Sequence, residues 1–184
     1  QYLKAGDELD ITKFGLGTFI VKFEMPMNFI DDINRIYEDE KDLPKHNQNL
    51  AGKIKDELRV TEILTNDMKD CFWTCFRQYL QVIGKPLWHC ELAGAWINDM
   101  KAGEYNPLHT HHGDLTFVAY LDVPKEIEDE QKKYIGKSAP PGCIEFMLSF
   151  HDFTKKQWAT LGKHMSPRTG DLLVFPAKLQ HTVP

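Results

Sequence analysis

The chain changes its periodicity once, at Gly84-Lys85-Pro86, and that change constrains the fold more than any other feature. Before it, apolar residues recur at helical spacing. After it, short alternating runs are separated by turn residues. Period 3.6 lays one stripe against a neighbour, whereas period 2 marks a strand with one buried face. Helices first and a run of strands afterwards is the pattern of an α+β fold.

The N-terminal part opens with GLGTFIVKFEMP (15–26), which alternates and is β-branched, so it predicts a strand stopped by Pro26. Phe29, Ile33, Ile36 and Tyr37 predict a helix over Asn28 to Lys41. Leu64, Met68, Cys71, Phe72, Cys75, Phe76, Tyr79 and Leu80 form one stripe, which predicts a longer helix from Thr61 to Val82 packed on a sheet. Beyond Pro86, strands are predicted within 89–99, 104–109, 115–123, 143–150 and 171–176. Short strands with turns between them make an antiparallel sandwich or barrel. The charged stretch 125–142, ending in Ala-Pro-Pro-Gly, reads as a surface excursion between two strands.

A chain of 184 residues can bury a sizeable core within one domain. In this reading residues 1–86 supply a strand and supporting helices, and 87–184 supply the strands that hold the site. The net charge of -5 argues against a broad basic surface for nucleic acid or an anionic membrane. No apolar run approaches the roughly 18 residues of a membrane span, so the expected setting is cytoplasmic. Four cysteines are too few for a disulfide framework and contain no C-x2-C pair; Cys71 and Cys75 are expected to be reduced core residues. Gln1 is not a start methionine and the chain stops after HTVP, so one or both ends are expected to continue.

The chemistry concentrates in GEYNPLHTHHGDLT (103–116), where three of the eight histidines fall within four positions. Neutral imidazole is the commonest metal-binding side chain. In an extended strand His109 and His111 project from one face, so both can hold one ion without bending the backbone. The natural third donor is His181, which follows the strand and proline turn of GDLLVFPAKLQHTVP. Three protein ligands leave open positions, the mark of a catalytic rather than a structural site. Non-heme Fe(II) oxygenases pair two histidines with a carboxylate. Here His111 stands where that carboxylate is expected. Either His111 replaces it, or Asp114 reaches the ion from the turn, or His112 and Asp114 form the pair. EYNPLH leads directly into His109, and this order favours His109 with His111. His46, His89, His151 and His164 have no partner at ligand spacing.

GEYNPLHTHHGDLTFVAYL followed by GDLLVFPAKLQHTVP resembles the 2-oxoglutarate/Fe(II)-dependent oxygenase superfamily, and within it a group of oxygenases from bacteria and marine phages. The shared pattern is W-x-N at Trp96 and Asn98, H-x-H at His109 and His111, Y-L at Tyr120 and Leu121, and Gly170 through His181. It covers residues 89–184. The resemblance implies a double-stranded β-helix (a jelly-roll, cupin-like barrel) buttressed by the N-terminal helices. It implies Fe(II) held by His109, His111 (or a nearby carboxylate) and His181, with 2-oxoglutarate as cosubstrate, O2 as oxidant and ascorbate as a stimulant. Hydroxylation of a C–H bond is the implied reaction. Tyr120 is implied as a hydrogen-bond partner of the far carboxylate of 2-oxoglutarate, with Asn98 as a further cosubstrate contact. The family's basic residue on the strand after the late histidine has no counterpart before Pro184. It is expected in a further C-terminal segment, with Lys178 as the alternative.

The cupin pattern is nearly met as well, since Gly103 precedes His109-Thr110-His111 and Gly170 precedes Pro176 and His181. Against it, no glutamate occurs between His111 and Glu126, and Lys178 stands where a cupin carries glycine. A cupin would share the architecture but not the cosubstrate. The substrate class stays open, with a prolyl or other peptidyl side chain among the possibilities. The excursion 125–142 and the loop around Lys41–Ile54 are expected to shape substrate entry.

Overall fold

Alternation and helical stripes both resolve into the expected element types in a computed structural model. It describes residues 2–3, 9–15, 19–39, 56–86, 89–152 and 154–184. Strands β1 (Ile11–Gly15) and β2 (Phe19–Glu24) lead into helix α1 (Met27–Asp39). Strand β3 (Asp56–Arg59) and helix α2 (Asn66–Val82) follow, then β4 (Trp96–Asp99), β5 (Asn106–His109) and β6 (Leu115–Ala119). A short helix α3 (Lys125–Lys133) precedes β7 (Ile144–Asp152), β8 (Gln157–Met165), β9 (Asp171–Pro176) and β10 (Gln180–Val183). The loop around Lys41–Ile54 lies outside the described residues.

Two four-stranded sheets carry the architecture, in the orders β1-β2-β9-β6 and β5-β10-β7-β8, with a separate β3-β4 pair. All their pairings are antiparallel. The first sheet divides two cores because side chains alternate along its strands. Val21, Phe23, Leu172 and Val174 face the helices, where they meet Phe29, Ile30 and Ile33 of α1 and Cys71, Phe72 and Phe76 of α2. Ile20, Leu173 and Phe175 face the opposite way and meet Ile144, Phe146 and Leu179 beside the second sheet. The two sheets therefore pack face to face on one side, and the helices cover the other.

Helix α2 shows why its stripe decides its position. Thr65 caps it by accepting a hydrogen bond from the Met68 N–H at 3.2 Å. Phe72 then meets Phe29 edge-on at 5.3 Å and stacks on Phe117 of β6 at 4.4 Å. Complete burial of one such side chain contributes about 1.5–3 kcal/mol. The Tyr79 hydroxyl, at the other end of the stripe, donates to the Phe19 carbonyl at 3.0 Å and ties the helix to the start of β2.

Several expectations need correction. The two sheets do not close into a barrel among the described residues; they remain separate sheets with free edges. Helix α2 begins at Asn66 rather than Thr61, because Val60 to Leu64 turn before the Thr65 cap. The expected strand over 89–99 shortens to β4, and that over 104–109 to β5. The excursion 125–142 contains helix α3, none of whose residues is buried. Its nine residues lack an apolar stripe, but the ion pair of Lys132 with Glu128 and the acidic first turn support it. Among the described residues no helix is long and apolar enough to cross a membrane. Cys71 and Cys75 are buried as expected, and burial pushes the Cys71 thiol up to about 12.

Candidate metal centre

Strand β10 is central in its sheet, with β5 on one side and β7 on the other. Its register places His181 opposite His109 of β5 and opposite Phe146 of β7. Paired residues share a face, so His181 and His109 point the same way. On β5 the ladder shifts by one residue between the pairs His181–His109 and Val183–Asn106. That shift is a bulge at Pro107-Leu108. Proline has no N–H to give to a ladder, so a bulge accommodates it.

His111 comes from the segment just after β5. Its N–H donates to the Ala177 carbonyl at 2.8 Å, and the Ala177 N–H donates to the Asp114 carbonyl at 2.9 Å. The Lys178 ammonium donates to the His111 carbonyl at 3.1 Å. These bonds clip the histidine loop to the turn that precedes His181. Trp96 of β4 packs beside the His111 ring, 5.6 Å between centroids.

One donor nitrogen from each of His109, His111 and His181 lies within 4.8 Å of the other two. The tautomers of His109 and His181 follow from main-chain bonds. Nδ1 of His109 lies 2.6 Å from the Pro107 carbonyl, and Nδ1 of His181 lies 2.9 Å from the Leu179 carbonyl. A carbonyl only accepts, so both Nδ1 atoms carry the proton and both Nε2 atoms present lone pairs. Metal-ligating histidines are commonly oriented in this way. Nε2 of His111 and Nε2 of His181 are 3.2 Å apart. Two imidazole nitrogens, each about 2.1 Å from one ion, sit about 3.0 Å apart at a right angle and about 3.4 Å at the tetrahedral angle. The observed spacing falls between these values, and the donor set suits a divalent transition metal.

Burial favours the neutral form of His181 and of His111. His181 is 2 % exposed and packs against Phe175 at 4.9 Å and Phe146 at 6.0 Å. Burial lowers its pKa to about 4; the Leu179 carbonyl opposes this and the neighbouring histidines add to it. Burial also lowers His111 to about 4, with His109 and His112 contributing. Neutral imidazole is the form that binds a metal.

Asp114, the alternative ligand, is exposed, and no carboxylate of the described residues joins the three histidines. His112 is exposed too, and Gly113 takes a left-handed turn at φ +85° that leads into β6. Asn98 lies two residues beyond Trp96 on β4, exposed and paired with Glu57. Lys178 is committed to the His111 carbonyl.

Tyr120 differs from these. It follows β6, on the face that packs into the core between the sheets, and its N–H donates to the Asp171 carbonyl at 2.8 Å. Its hydroxyl oxygen is buried and has no hydrogen-bond partner. Burial raises its pKa, with the charges of Asp171 and Cys143 adding to the effect. A buried hydroxyl without a partner is uncommon, and it suits a ligand that brings an acceptor. The three histidines thus fit the implied metal.

Sequence reasoning did not anticipate the Trp96–His111 contact, the Lys178 clip or the walls made by Phe146 and Phe175. The three depend on strand register and on turns, which no single-residue pattern reports.

A comparison with protein families matches residues 94–184 to the family described as "Putative 2OG-Fe(II) oxygenase". No curated protein and no solved structure matches the chain. The matched segment spans β4 to β10 and contains the whole histidine group, Trp96 and Tyr120. Residues 94–184, and with them all three histidines, belong to the 2-oxoglutarate/Fe(II)-dependent oxygenase superfamily.

Proposed function

We propose that the chain is a dioxygenase that couples decarboxylation of 2-oxoglutarate to hydroxylation of a second substrate. A prolyl or other peptidyl side chain is the first substrate class to test. The observation that carries this reading is the convergence of His109, His111 and His181 inside the family-matched segment. Fe(II) with 2-oxoglutarate and O2 would supply the oxidising power for C–H chemistry, and the protein would supply position and shielding.

The residues divide this work between them. His109 and His181 present fixed lone pairs because the Pro107 and Leu179 carbonyls hold their Nδ1 protons. His111 completes the set in place of a carboxylate. Phe146 and Phe175 keep water from the inner side of His181. Tyr120 donates its buried hydroxyl to the far carboxylate of 2-oxoglutarate. A double-stranded β-helix is the reading of the two facing four-stranded sheets. A single domain over 1–184 is supported by the first sheet, which takes β1 and β2 from the N-terminal half and β6 and β9 from the C-terminal half.

The deciding experiment is succinate formation from 2-oxoglutarate by purified protein with Fe(II), ascorbate and O2. Succinate above the no-iron and His181→Ala controls supports the reading. No succinate, together with no binding of 2-oxoglutarate to the metal-loaded protein, rejects it and leaves a cupin-type metal site.

A further inference from the structure

The three donors are not held alike. His109 sits opposite His181 on the β5–β10 ladder, and main-chain carbonyls fix both Nδ1 protons. His111 lies two residues past the end of β5, beyond the last pair of that ladder. Its backbone is held instead by two consecutive residues of the turn that enters β10. The Ala177 carbonyl accepts the His111 N–H at 2.8 Å, and the Lys178 ammonium donates to the His111 carbonyl at 3.1 Å. The turn closes on itself through the Leu179 N–H and the Pro176 carbonyl at 2.9 Å. Any residue at position 177 brings a carbonyl, whereas the ammonium comes from the side chain of Lys178.

Two effects of Lys178 on a bound cation oppose each other. Its charge repels a divalent ion, and its hydrogen bond steadies the peptide that carries the third imidazole. Lys178 is exposed, so water and salt screen the repulsion. The hydrogen bond acts at contact, and a charged donor makes it stronger than a neutral one. Ordering His111 before the ion arrives also removes a cost that binding would otherwise bear. The hydrogen bond is therefore the larger effect. We propose that Lys178 is a positioning residue for the metal: through the His111 carbonyl it holds the third imidazole beside the other two and slows release of the ion. The proposal rests on the metal-binding part of the functional reading and not on its cosubstrate or reaction.

The test compares the native protein with Lys178→Met and Lys178→Arg, by Co(II) titration and by the rate at which excess EDTA removes the ion. Methionine keeps the apolar stem and loses the donor and the charge; arginine keeps both. Lys178→Met should lower Co(II) affinity about three- to tenfold, the worth of one hydrogen bond, and speed release by a similar factor. Lys178→Arg should stay within about twofold of native, because a cationic donor is restored. In metal-free Lys178→Met the His111 amide should exchange with deuterium faster than in the native protein, while the β7 and β8 amides and the melting temperature stay unchanged. Equal or tighter Co(II) binding by Lys178→Met overturns the proposal, since repulsion would then match or outweigh the hydrogen bond. Arginine as weak as methionine overturns it as well, and so does unaltered exchange at His111. A native protein that takes up no Co(II) overturns the functional reading and this proposal with it. Native uptake with unchanged affinity in Lys178→Met overturns this proposal alone.

Discussion

His109 and His181 face each other across the β5–β10 ladder, and each gives its Nδ1 proton to a carbonyl two residues earlier in the chain. The two lone pairs are thus aimed by the backbone alone. His181→Ala removes one of them and leaves the sheet hydrogen bonds in place. Its metal affinity should fall by more than the ~10–100-fold that loss of a supporting hydrogen bond costs. Co(II) titration gives the affinity, and circular dichroism should show an unchanged fold. Native-like affinity in this variant would remove His181 from the ligand set.

His111 and Asp114 compete for the third position in sequence but not in space. Asp114 is exposed, whereas a His111 nitrogen lies 3.2 Å from that of His181. Asp114→Ala should leave metal affinity unchanged and His111→Ala should reduce it severely. The reverse result makes Asp114 the ligand. Quenching of Trp96 fluorescence by Co(II) offers a second readout, because that ring lies 5.6 Å from His111.

Tyr120→Phe separates a binding role from a packing role. Its hydroxyl is buried without a partner, so removing it should leave stability unchanged or raise it by up to about 1 kcal/mol. Affinity for 2-oxoglutarate should fall about tenfold, the worth of one hydrogen bond to a charged group. Thermal melts and isothermal titration of metal-loaded protein measure the two effects. A destabilised variant with native 2-oxoglutarate affinity would make Tyr120 a core residue only.

The pH dependence follows from His111 and His181. Both have a folded pKa near 4 against 6.5 when unperturbed. Between these values the unfolded chain binds more protons than the folded one, so stability rises with pH there. Metal-free protein should lose stability as the pH falls from about 6.5 towards 4, and change little through these groups above 6.5. Chemical denaturation across that range tests it. His181→Phe should flatten the slope, and an unchanged slope would mean that other groups set it. Metal uptake through His111 and His181 should also persist to lower pH than free imidazole allows, because these two stay neutral in the folded protein.

Sequence legibility followed the range of the forces involved. Helix α2 was legible because its stripe is a local, repeating signal, and the H-x-H pair with a late histidine was legible as a ligand pattern. Strand β8 went unread because QWATLGKHM has little alternation; its nine residues are held by pairing with β7 along its full length. The register that sets His181 opposite His109 is a property of two strands about 70 residues apart, and no local pattern encodes it. Helix α3 carried a signal in its helix-forming charged residues, but without an apolar face it read as a loop.

The bulge at Pro107-Leu108 and the turn before β10 have a consequence for drift over generations. Metal-site histidines are often oriented by a carboxylate side chain, which a single substitution can delete. Here the acceptors are the main-chain oxygens of Pro107 and Leu179, which every amino acid carries. Replacing either residue changes a side chain and leaves the oxygen where the chain path puts it. The tautomers of both histidines are therefore inherited with the backbone, and they survive any substitution at those two positions that keeps that path.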